Sequence, residues 1–99
     1  QQDAAMALTL LQRGDEAGCA EAACNLGVMY RDGLGVRRDQ GEAFALFLKA
    51  HGVGHAFGTY HLAVMYRDGR GVQQDTAKML EYYQIAHERG ESGAAFNLG

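Results

Sequence analysis

Cysteine, histidine and serine carry most of the chemistry open to a side chain at neutral pH, and this sequence holds two, four and one of them. Cys19 and Cys24 stand five residues apart, which is not the CxxC spacing of a zinc or redox site, and two cysteines are too few for a disulfide framework. They read as small buried thiols of a reducing compartment, with a local disulfide across a helix start as the alternative. His51 and His55 have the i,i+4 spacing that holds zinc on a helix, but Gly52 and Gly54 interrupt it and no further ligand completes a shell. No metal is expected. His51 and His87 suit the C-terminal end of a helix, where donors and cations are favoured. Gly33-Leu34-Gly35 and Gly69-Arg70-Gly71 lack the third glycine of a dinucleotide fingerprint and follow a helical pattern, not a strand. Ser92, in Gly90-Glu91-Ser92-Gly93, lacks the spacing of a nucleophile elbow, and the carboxylates are dispersed. These residues therefore point to no enzyme, no cofactor and no metal.

The chain must do its work through shape. Its 99 residues allow one domain, and 47% hydrophobic with 21% charged residues is a globular balance. A net charge of −3 and a pI of about 5.7 give no basic footprint for nucleic acid. No apolar run approaches the ~18 residues of a membrane span, and no leader resembles a signal peptide. The first residue is Gln1, so further sequence upstream is expected.

One period organises the chain. Leu26-Gly27-Val28-Met29-Tyr30-Arg31-Asp32-Gly33 returns 36 places later as Leu62-Ala63-Val64-Met65-Tyr66-Arg67-Asp68-Gly69. The same step carries Asp3 to Asp39 and Asp75, and Asn25-Leu26-Gly27 leads to Asn97-Leu98-Gly99 after two steps. Within a period, Ala20, Ala23, Gly27 and Tyr30 recur at three and four, the mark of an amphipathic helix. A first helix is expected over 20–31 and 56–67, ended by Gly33 and Gly69. A second helix starts behind Asp39 and Asp75, whose carboxylates accept from the free first-turn N–H groups, with Glu42 completing a capping-box pattern. Its buried stripe is Ala43, Leu46, Phe47 and Ala50 in one copy, and Met79, Tyr82, Tyr83 and Ala86 in the next. Residues 3–14 read as a second helix without its first. If Ala20 lies near the cap, Cys19 and Cys24 fall at the two staple positions of a helix start.

The string Ala20…Leu26-Gly27-Val28-Met29-Tyr30…Gly33-Leu34-Gly35-Val36…Asp39…Ala43 resembles the Sel-1-like repeat, a relative of the tetratricopeptide repeats. The resemblance covers essentially the whole chain. Departures are Met79 for Ala, Ala63 for Gly, Cys24 where an aromatic is common, as at Tyr60 and Phe96, and His51 and His87 within the usual Ala-Ala pair. It implies an all-α, right-handed α/α superhelix of antiparallel hairpins. The expected units are a partial repeat over 1–19, repeats over 20–55 and 56–91, and the start of another over 92–99.

The resemblance further implies an adaptor that binds another protein or a peptide on its concave face. If the first helices line that face, the residues are Glu21, Cys24, Val28 and Arg31, then Phe57, Tyr60, Val64 and Arg67. Arg31 and Arg67 would suit an acidic or C-terminal carboxylate; alternatively they neutralise helix ends or pair with Asp32 and Asp68. The runner-up is a structural spacer or a regulatory segment of a larger, possibly enzymatic, protein. The apolar ends, with Phe96 and Leu98, suggest a piece of a longer array able to associate end to end. Partner identity and compartment are not written in the sequence.

Overall fold

The structure, a computed structural model, describes residues 2–90, and side chains from Met6 onward. Five helices follow one another: α1 Gln2–Glu16, α2 Ala20–Asp32, α3 Gln40–Gly52, α4 Ala56–Asp68 and α5 Thr76–Glu88. No strand occurs among the described residues. The pairs α2/α3 and α4/α5 are the two copies of the period, and α1 takes the place of α3 one period earlier. The expectations for Phe96, Leu98 and the repeat start over 92–99 lie outside the described residues, as does the Asp3 side chain.

The helix ends follow local chemistry. Asp39 Oδ1 accepts from the Glu42 N–H at 3.0 Å, and Asp75 Oδ1 from the Lys78 N–H at 3.0 Å. Gly33 and Gly69 close α2 and α4 at φ 71° and 67°, where a side chain would be strained. The chain then returns through Asp39 N–H to Tyr30 carbonyl, 2.9 Å, and Asp75 N–H to Tyr66 carbonyl, 3.1 Å.

The starts of α2 and α4 differ from expectation. Cys19 is itself the N-cap, because its carbonyl accepts from Ala23 N–H at 3.1 Å, and it gives no side-chain cap. Cys24 is then the fifth helical residue, so the pair misses the staple positions. Cys19 is exposed, Cys24 is buried, and both are free thiols. His55 caps α4 in the same way, through its carbonyl and Thr59 N–H.

Each helix packs on its chain neighbours, and among non-consecutive helices α2 and α4 share the most extensive contact. The first helices of the repeats therefore form one layer, and α1, α3 and α5 stand behind it. The core runs between the layers. Ala43, Leu46, Phe47 and Ala50 are all buried, as are Tyr83 and Ala86, whereas Met79 and Tyr82 are half-buried. Close approach needs small residues. A Cβ on Gly27 would stand 2.5–2.9 Å from three atoms of the Phe47 ring. One period on, Ala63 and Tyr83 share the second core cluster. On α1, Leu10 holds the phase of buried Leu46 yet is exposed, since no described helix covers that side.

Candidate functional site

The layer of α2 and α4 carries a cavity of about 240 Å³ between the two helices. Glu21, Cys24 and Asn25 reach it from α2, Phe57 and His61 from α4, and His55 from the cap of α4. Phe57 is 53% exposed, an uncommon position for a large ring. Cys24 is buried in the wall. Phe47 closes the arrangement from behind, its ring stacked on His61 with centroids 4.7 Å apart.

The eight residues expected on this face do not form one strip. Glu21, Cys24 and Phe57 meet in the cavity. Val28 packs half-buried against the larger core cluster. Tyr60 and Val64 pack against the smaller one, beside Tyr83. Arg31 binds Asp32 through Nε, 3.0 Å, and Nη2, 3.1 Å. Its Nη1 lies 3.2 Å from His61 Nδ1. Arg67 binds Asp68 in the same manner and donates from Nη1 to the Tyr83 hydroxyl at 3.3 Å. Pairing with Asp32 and Asp68, one of the two readings open in the sequence, is thus present in both copies.

These contacts set the electrostatics. The hydrogen bond from Arg31 holds the Asp32 carboxyl below its usual range. The Asp68 carboxylate raises Arg67 further. Burial pushes the Tyr83 hydroxyl up. His61 is pulled down to about 4, first by burial and then by the Arg31 charge. A guanidinium can only donate, so His61 Nδ1 accepts and the neutral ring carries its proton on Nε2.

A polar hub lies behind the layer. Arg89 Nη1 donates to the His51 carbonyl at 3.0 Å and to Thr59 Oγ1 at 2.6 Å, and stands 3.2 Å from His51 Nδ1. Thr59 is fully buried, and its hydroxyl lies 2.8 Å from His51 Nδ1 and 3.2 Å from the His55 carbonyl. His51 therefore does not cap its own helix, as its position suggested. Its ring turns toward α4, and Arg89, the C-cap of α5, meets its carbonyl instead. Burial, then the Arg89 charge, lowers the His51 pKa. Among the described residues, no group of His, Cys, Asp and Glu is arranged to hold a metal. No described helix is long and apolar enough to cross a membrane.

The Sel1 repeat model matches residues 20–50 and 56–91, which are the two helical hairpins. The chain belongs to the Sel1 repeat family. Among solved structures, a Sel1 repeat protein from Oxalobacter formigenes superposes with a TM-score of 0.89 at 26% identity, over 95% of this chain and 38% of that one. The protective antigen c5321, present in uropathogenic Escherichia coli strains and displaying an SLR fold, gives 0.86 at 31% identity, over 92% of this chain and 20% of that one. Cysteine-rich protein B of Helicobacter pylori shares the fold, with a TM-score of 0.83 at 23% identity, over 89% of this chain and 66% of that one. The chain thus spans about two fifths and one fifth of the first two relatives. No curated protein matches it. Family and fold together make the chain a helical repeat module of the protein-interaction kind.

Asn25, His55 and His61 are the cavity residues that periodicity alone did not select. His61 holds the phase of Asn25 and Asn97. A polar residue kept at one phase, next to Leu26, Leu62 and Leu98, is the signal that could have marked it.

Proposed function

We propose that the two Sel1 repeats form a non-enzymatic interaction module that receives a peptide segment of a protein partner along the inner layer, across α2 and α4. The observation that carries this reading is Phe57, half exposed at the mouth of a 240 Å³ cavity whose wall includes buried Cys24. A cavity below the roughly 300–1,000 Å³ of small-molecule sites suits one side chain of a larger ligand. An apolar side chain of the segment seats against Phe57, and Asn25 and His61 supply polar contacts to its backbone. Arg31 and Arg67 stand farther along the layer and favour an acidic or carboxylate-ended segment. Asp32 and Asp68 already take two donor groups of each, so these cations add less to affinity than Phe57 does.

Selection of a random-peptide display library on the immobilised chain tests this reading. Enriched peptides should lose about ten-fold or more in affinity on Phe57→Ala, as expected for an aromatic anchor. The ring is exposed, so the melting temperature should hold. Enriched peptides indifferent to Phe57→Ala would move the binding place away from this cavity, and no enrichment at all would favour the spacer reading. Replacing Arg31 is a poorer probe, because its contact with His61 joins α2 to α4.

A further inference from the structure

A second cavity, of about 270 Å³, lies on the opposite side, between α1 and α3 with α2 as its floor. Leu26, Tyr30 and Leu46 make the floor, and Asp15, Glu16 and Glu42 stand around it. The corresponding place one period on is filled by the protein itself. There Tyr82 stacks on Tyr66, with centroids 5.6 Å apart and planes 8° from parallel, and His51 meets Tyr82 edge-on at 5.2 Å. Leu46 holds the phase of Tyr82 and has no ring to lay over Tyr30. Polarity changes in step: Asp15, Glu16 and Glu42 stand where the later copy has His51, Gly52 and Lys78. Lys49 neutralises Asp15 at 2.7 Å. Among the described residues, no ion pair engages Glu16 or Glu42.

Carboxylates alone would make a hydrated acidic rim. The open cavity against Tyr30 and Leu46, at the phase where the next copy sets the Tyr82 ring, makes this place a receptor. We propose that the outer cavity anchors the guanidinium of an arginine side chain from a protein partner, stacked on Tyr30 as Tyr82 stacks on Tyr66 and paired with Glu16 and Glu42. A guanidinium is planar, weakly hydrated and permanently charged, so it stacks on an aromatic face while its edge donates to carboxylates. A phenol in the same gap would leave both glutamates without a counter-charge. This site is independent of the inner groove and lies on the other layer.

The test is a titration of the whole chain with N-acetyl-arginine amide, followed by backbone amide shifts, with N-acetyl-tyrosine amide and N-acetyl-norleucine amide run in parallel. The arginine derivative should give saturable shifts at Tyr30, Glu42 and Leu46 that weaken with added salt. Glu16→Gln with Glu42→Gln should lower its affinity by at least about three-fold. Leu46→Tyr should supply the missing ring and abolish the shifts. If Leu46→Tyr does not fold, the double Gln variant decides alone, since both glutamates are exposed. Absence of saturable shifts at these amides, equal binding of the tyrosine derivative, or arginine binding untouched by the double Gln variant overturns the proposal.

Discussion

The two outer seams of the stack share a backbone and differ in what holds them. Between α1 and α3 the link is an ion pair at the surface, Lys49 with Asp15. Between α3 and α5 it is a hydrogen-bonded hub in which exposed Arg89 meets half-buried His51 and buried Thr59. Asp15 and His51 hold one phase of the repeat; Ala23 and Thr59 hold another. With Lys49 replaced by Ile85 and Val53 by Arg89, four exchanges turn a seam held by an ion pair into one held by hydrogen bonds around buried Thr59. The aromatic lining differs too: Tyr82 stacks on Tyr66 in the later seam, and the cavity beside Tyr30 stays open in the earlier one. A repeat array keeps its helical frame constant and varies the residues where repeats meet, so that each seam acquires its own stability and its own recognition.

The largest expected asymmetry is in pH. The unfolded chain protonates His61 near 6.5, whereas the folded chain resists until about 4. Stability is therefore complete above about 6.5 and falls as pH drops toward 4, by up to about 3 kcal/mol. The depressed His51 adds in the same direction. Urea unfolding at a series of pH values should show this slope, and His61→Asn, which installs the residue of the earlier repeat, should remove most of it. A flat profile between pH 7 and 4 would break the comparison.

Thr59→Val should come next. It keeps the shape of the side chain and removes the hydroxyl between Arg89 and His51, at a cost of about 1–3 kcal/mol in chemical unfolding. Amide hydrogen exchange should then quicken in α5 before α2, because α5 depends on that seam. The smallest effect belongs to Lys49→Ala, which deletes a half-exposed pair and should cost at most about 1 kcal/mol, less at high salt. Equal costs for the last two substitutions would mean that the two seams are held alike.

The helices were legible almost to the residue. Asp39 and Asp75 mark starts and Gly33 and Gly69 mark stops through hydrogen bonds and φ values that involve only a few neighbouring residues. The stripe Ala43, Leu46, Phe47 and Ala50 was legible for the same reason. The candidate site was less so. Periodicity tells which residues of α2 share a side, but α1, α3 and α4 all pack on that helix. Val28, Tyr60 and Val64 are drawn into core packing, and only Glu21, Cys24 and Phe57 of the expected set meet at the cavity. His61 escaped because its partners, Phe47 and Arg31, lie 14 and 30 residues away.

By itself the sequence determined the 36-residue period, the all-helical hairpins and their family, because caps, turns and apolar faces are local and repeat with the chain. Tertiary structure alone decided that Arg89 would reach His51, that Lys49 would reach Asp15, and that a cavity would stay open beside Tyr30. Those meetings depend on how far one hairpin is displaced and turned against the next. That geometry is the sum of many small packing contacts, and no short stretch of residues encodes it.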